Sequence, residues 1–199
     1  WRDASPNIVE FWGGQWRKHP YKWVFTNELY GLEGAAVRAV LNPGKWFTHN
    51  LIGYYYDKTV DVLYCGLPSG RNLAYHYPRI RPSVNRMCGN QEYRLTYKGY
   101  NSNPAMGRVG WIRMDTYGGK LTENVVQATA GEILKHGMLK VTEAGYPIVL
   151  HVHDEIVAEV PEGTGSVSEF ETLMSTMPDW AKGWPVKAKG GWRGKRYRK

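Results

Sequence analysis

At 199 residues and 22.7 kDa, with 42% hydrophobic and 14% aromatic residues, the chain has enough apolar material for one domain-sized core, which excludes a globally disordered polypeptide. Its apolar runs extend about five residues, far short of the roughly 20 that a bilayer-spanning helix needs, so no membrane partner is expected. Two cysteines, Cys65 and Cys88, form no CxxC pair and make a poor disulfide framework, which points to a reducing compartment. No signal-peptide pattern opens these residues, and the first of them is Trp1 rather than methionine; the expectation is a truncated, split or processed product.

The net charge of +8 comes from 26 basic and 18 acidic residues and is concentrated at one end. Seven of the basic residues (Lys187, Lys189, Arg193, Lys195, Arg196, Arg198, Lys199) lie in the last thirteen positions with no acid among them; without them 19 basic face 18 acidic residues. Trp192 and Tyr197 interleave those charges. Such a tail suits contact with phosphates, with release of counterions. It equally suits a solvated edge strand guarded against pairing by Lys and Arg.

In chain order, Ser5-Pro6 predicts an N-cap with proline at the first helical position and a helix through Ile8, Val9, Phe11 and Trp12, weakened at Gly13-Gly14 and ended or kinked by Pro20. Residues 21–31 are aromatic and irregular and carry no assignment. Leu32 to Leu41 is a short helix stopped by Asn42-Pro43-Gly44. Thr59 to Tyr64 reads as a strand, Pro68-Ser69-Gly70 as a turn and Arg71 to Tyr77 as the returning strand. Pro78 to Asn90 reads as a loop, with further strands at Gln91 to Tyr97 and Val109 to Met114.

The last third is more regular. Leu121, Val125, Ala128, Leu134, Met138 and Val141 recur at helical spacing up to Ala144, with Gly145 just beyond the C-cap. Ile148 to Val152 is a strand of buried type, and Ile156 to Val160 is another. Ser166 caps a helix through Phe170, Leu173 and Met174 that ends near Pro178. The whole predicts an α+β fold: an antiparallel sheet with helices packed on one side.

Between the two apolar strands stands His153-Asp154-Glu155. Apolar strands usually turn on Gly, Asn or Pro, and adjacent carboxylates at a tight turn repel unless a cation or donor relieves them. Mg²⁺ does so with one or two carboxylates, taking its other ligands from water and substrate phosphates, which suits phosphoryl transfer. A solvated Asp-Glu turn is the plain alternative. His151-x-His153-Asp154 superficially resembles a zinc ligand set, but no third histidine has ligand spacing and no CxxC supports it.

Several motifs, in order, resemble the C-terminal palm of family A DNA polymerases, bacteriophage type. They are Trp1-Arg2 through Trp12, Leu67-Pro68-Ser69-Gly70-Arg71 with Tyr77-Pro78-Arg79-Ile80, Thr116-Tyr117-Gly118-Gly119-Lys120, Asn124 to Ala130, Gly145 to Val157, and the terminal Lys195-Arg196-Tyr197-Arg198-Lys199. The resemblance covers most of the chain except about Gly13 to Tyr30, which stands as an insertion or docking surface. It implies a helical segment with that insertion over residues 1–50, at the junction of fingers and palm, and the palm itself over residues 51–199.

The resemblance also implies roles. His153-Asp154-Glu155 would be motif C, with Asp154 a catalytic, metal-binding carboxylate, Glu155 its catalytic neighbour and His153 against the primer terminus. Gln127 would contact the nascent duplex in its minor groove, where acceptors are largely shared among base pairs; its plain alternative is a solvent-facing polar residue. Asn124 and Lys120 would contact DNA, Lys120 through a phosphate. The implied cofactor is Mg²⁺ in a two-metal site, and the implied partners are primer-template DNA, deoxynucleoside triphosphates and an N-terminal polymerase portion, in cis or as a separate chain. The implied location is the cytoplasm of a phage-infected bacterium.

The chain departs from the family in what it lacks. Asp57, Asp61 and Asp115 have none of the flanking pattern of the motif A aspartate, and the spacing from Lys22 to Tyr30-Gly31 copies motif B on the wrong side of Trp1-Arg2. One aspartate does not hold two ions, so the isolated chain is expected to bind primer-template weakly without extending it. The second reading is a non-catalytic DNA-binding or structural subunit.

Overall fold

A computed structural model describes residues 3–19, 22–85 and 89–196; Cys88 and the terminal Tyr197-Arg198-Lys199 lie outside them. The chain forms two compact units, Trp1–Val126 and Gln127–Lys199, with the boundary inside the longest helix.

In the first unit, α1 (Pro6–Trp12) starts at the expected proline, although Ser5 makes no side-chain cap bond. It ends earlier than Pro20. Gly13 takes φ 71, and a Cβ there would collide with the Tyr30 carbonyl, so only glycine lets the chain leave the helix so close to its neighbour. Residues 14–19, read from the sequence as the weakened end of that helix, instead form β1 (Gly14–His19), which pairs with β2 (Lys22–Tyr30) in the unassigned aromatic stretch; α2 (Gly31–Leu41) follows.

An antiparallel meander follows: β3 (Trp46–His49), β4 (Ile52–Asp57), β5 (Val62–Gly66), β6 (Asn72–Val84), β7 (Gln91–Asn101) and β8 (Gly110–Asp115), paired in that order. One face carries Tyr54, Leu63, Cys65, Tyr75 and Leu95, each no more than 4% exposed. α2 packs against this sheet and buries Leu32, Ala35, Ala36, Val37 and Ala39. Small residues on α2 allow its close approach to the sheet. Cys65 is a free thiol in that layer, and burial pushes it up to about 11, which keeps it protonated and inert.

Two departures from the sequence reading have physical causes. Residues 78–84 belong to β6 rather than to a loop. β5 stops pairing at His76, so beyond it β6 has a partner on one side only, where a proline need not cost the ladder a bond. Residues 59–61 are the β4–β5 turn rather than strand, with the Asp57 carboxylate accepting from the Thr59 amide (2.8 Å) and hydroxyl (2.5 Å).

In the second unit, the rest of α3 (Gly118–Glu143) leads to the hairpin of β9 (Ile148–Val152) and β10 (Glu155–Ala158), then α4 (Val167–Met174). Gly145, at φ 89, closes α3, and the Tyr146 amide donates back to the Val141 carbonyl at 3.0 Å. Ser166 caps α4 by accepting from the Glu169 amide at 3.0 Å. Buried Tyr146 donates its hydroxyl to Glu169 (2.5 Å) and meets Phe170 edge-on. The fold is thus α+β with antiparallel sheets, and among the described residues no helix is long and apolar enough to cross a membrane.

Candidate active site

Val152 pairs with Glu155, so His153 and Asp154 form a two-residue turn. His153 sits at φ 55, a left-handed conformation that costs a non-glycine residue on the order of 1 kcal/mol. The His151 imidazole secures it: its Nε2 lies 2.7 Å from the His153 carbonyl oxygen, and because a carbonyl only accepts, that nitrogen carries the proton and donates. His151 is therefore tied to the turn backbone. Among the described residues no group of three or more His, Cys, Asp or Glu side chains is placed to hold a metal.

Asp154 and Glu155 are both exposed and adjacent, Asp154 in the turn and Glu155 opening β10. β9 is not the buried strand that its composition predicts. Val149 is 56% exposed and Leu150 41%, because a lone two-stranded hairpin has too little partner surface to cover both its faces.

The remaining sequence-predicted residues lie on α3. Lys120 donates to both carboxylate oxygens of Glu123 (3.1 and 3.0 Å), an intrahelical pair in place of an open cation. Asn124 Nδ2 donates to the Tyr75 hydroxyl at 3.0 Å, and Tyr75 packs edge-on against Tyr97. Burial raises the Tyr75 pKa, which keeps the phenol neutral and fixes the Asn124 amide. Gln127 is exposed. Lys120 and Asn124 belong to the first unit; Gln127, His153, Asp154 and Glu155 belong to the second.

One group escaped the sequence reading. Glu33, 9% exposed on α2, accepts the Gly118 amide at 2.8 Å, the first residue of α3. Burial raises its carboxyl from 4.5 to about 7 against the lowering effect of that hydrogen bond. The signal was a single acid inside Gly31-Leu32-Glu33-Gly34-Ala35-Ala36. Gly118 itself admits no Cβ, which would collide with the Trp12 carbonyl, so α1, α2 and the start of α3 meet at this point.

No family model and no solved structure matches the chain. Over 190 residues, 96% of its length, the chain is 36% identical to a DNA polymerase of Bacillus phage SP02, and it spans 25% of that protein.

Proposed function

We propose that this chain is the C-terminal, motif C part of a family A DNA polymerase palm, completed by a portion that carries motifs A and B. The observation that carries the proposal is the β9–β10 turn, where two adjacent exposed carboxylates follow a histidine held in left-handed backbone, in a chain similar to a phage DNA polymerase. Strain of this kind persists where the surroundings enforce it, commonly at functional sites.

In this reading Asp154 supplies a carboxylate to the reaction centre, with Glu155 beside it. His153 stands against the primer terminus, Gln127 contacts the new duplex, and Asn124 is presented in a fixed orientation by Tyr75. Lys120 reaches a phosphate by exchanging its partner Glu123. The primer 3′ oxygen bonds to the α-phosphorus of the incoming nucleotide and pyrophosphate leaves. Mg²⁺, when bound, supplies neutralisation of the charge on the transferring phosphate. The exposed Asp154 and Glu155 fit an ion that draws its other ligands from water, phosphate and the motif A aspartate outside this chain.

In the completed polymerase, Asp154→Ala abolishes primer extension and leaves DNA affinity within about twofold, since phosphate contacts elsewhere carry most binding. Near-normal turnover of the variant sinks the motif C assignment. The exposed cationic residues Lys187, Lys189, Arg193, Lys195 and Arg196 favour a second reading, a non-catalytic DNA-binding subunit. That reading requires affinity that depends on salt and not on Mg²⁺ or Asp154.

A further inference from the structure

The largest unassigned chemistry lies on the face of the six-stranded sheet opposite α2. Paired residues of an antiparallel ladder share a face. His76, Lys98 and Arg113 form one row across β6, β7 and β8, and Arg79, Thr96 and Asp115 form the next. Tyr100 and Trp111 pair on one side of these rows, and Arg81 and Arg94 on the other. The alternate positions of β7, Leu95 and Tyr97, belong to the packed side.

Arg79 and Arg113 meet at Thr96, whose partner on β8 is the exposed acid Asp115. Arg113 Nη1 donates to the Thr96 hydroxyl (3.1 Å) and to the Tyr77 carbonyl (3.0 Å), and the Thr96 hydroxyl donates to the Arg79 carbonyl (3.1 Å). Arg79 grips Asp61 with two contacts of 2.8 Å, which hold that carboxyl down to about 2. Asp61 thereby offsets one guanidinium. Arg113 is held below its ordinary value by burial and by the charges of Arg81 and Arg79. Arg94 is matched by Glu92 at 2.6 Å, whereas among the described residues Arg81 and Lys98 have no acidic partner within 4 Å.

Aromatic rings interleave these charges. A bulge between His76 and Arg79 puts Tyr77 at φ 52 and leaves it 47% exposed, with the Lys98 ammonium 5.0 Å from its ring centre. Tyr100 and Trp111 are 59% and 69% exposed and meet edge to face. Two large rings left open beside Lys98, with Arg81 farther along the same face, form a stacking platform next to a phosphate track.

We propose that this face of β6, β7 and β8 binds a single strand of nucleic acid, with Arg81, Lys98 and Arg113 against its phosphates and Tyr100 and Trp111 stacking on its bases. Charge complementarity selects a polyanion, and the open rings select unpaired bases over a closed duplex. The surface extends the polymerase reading, on which it rests only for the kind of partner, and it lies outside the motif C turn.

The test uses the whole chain with fluorescein-labelled oligo(dT) and a duplex of equal length, followed by anisotropy across a salt series. The Arg81→Gln/Lys98→Gln double variant is expected to bind oligo(dT) about tenfold more weakly, with the slope of log K against log salt reduced by about 1.4. Trp111→Ala is expected to lose at least about fivefold for oligo(dT) without a change of slope, and less for the duplex. Lys45→Gln, just before β3 at the opposite edge of the sheet, is expected to stay within about twofold of wild type, and a loss equal to that of the double variant overturns the assignment to this face.

Wild-type affinity and slope in a double variant with unchanged circular dichroism overturn the proposal, as does absence of oligo(dT) binding by the wild type. Equal losses for duplex and oligo(dT), with Trp111→Ala silent, overturn the single-strand assignment. None of these outcomes touches the polymerase reading, which stands or falls on extension by Asp154→Ala.

Discussion

Glu33 shows how a single residue can set a pH dependence. Its carboxyl rises from 4.5 to about 7 on folding, so the folded chain binds the proton more tightly than the unfolded one. Its contribution is fully present below pH 4.5 and is lost as pH rises through 7. Glu33→Gln keeps an acceptor for the Gly118 amide and removes the titration. We expect it to flatten the loss of stability between pH 5 and 8 by roughly 3 kcal/mol, read from urea melts of both proteins. Parallel pH profiles would show that the buried carboxyl is relieved by another route. At the turn, His153→Gly removes the cost of φ 55 and should raise or preserve hairpin stability within about 1 kcal/mol. The same variant should reduce primer extension in the completed enzyme. Loss of stability with intact extension would reverse the assignment of that strain to function.

At the scale of elements, helices were more legible than strands because their signals are local. Pro6 opens α1, Ser166 caps α4, and the apolar spacing from Leu121 to Val141 marks α3, whereas the end of α1 at Gly13 rather than Pro20 depends on the close approach of Tyr30. β3 and β4 went unread although Asn50, at φ 52, opens the two-residue turn between them, a position where asparagine is favoured. The extension of β6 through Pro78 and Pro82 was hidden for a different reason. Whether a proline breaks a strand depends on which neighbour is present, and only the meander shows that β5 has ended. The junction of α1 with α3 is equally non-local. Gly118→Ala drives a methyl into the Trp12 carbonyl, and we expect a loss of about 3 kcal/mol in the unfolding transition of the first unit. A change under about 1 kcal/mol would mean that α1 is free to shift.

At the scale of the molecule, the chain matches a quarter of the length of the Bacillus phage SP02 polymerase to which it is similar, and its described residues present the Asp154-Glu155 pair as candidate carboxylates. Phosphoryl transfer with two metals needs carboxylates from more than one segment. The pure chain should therefore bind primer-template in a salt-dependent manner without extending it. Addition of a portion bearing motifs A and B should restore Mg²⁺-dependent synthesis. Extension by the pure chain alone contradicts the half-site reading.

Sequence by itself determined the helices, the α+β class and the acidic turn, because caps, periodicity and the oddity of His-Asp-Glu between apolar strands are properties of neighbouring residues. It also placed Asp154 and Glu155 together, since adjacency is covalent. Tertiary structure decided the rest. It tied Asn124 to Tyr75 and Glu33 to Gly118, bonds that span 49 and 85 residues. It gathered Arg79, Arg81, Lys98 and Arg113 from three strands onto one face. Contacts of that kind depend on strand register and burial, and both are fixed only when distant segments pack.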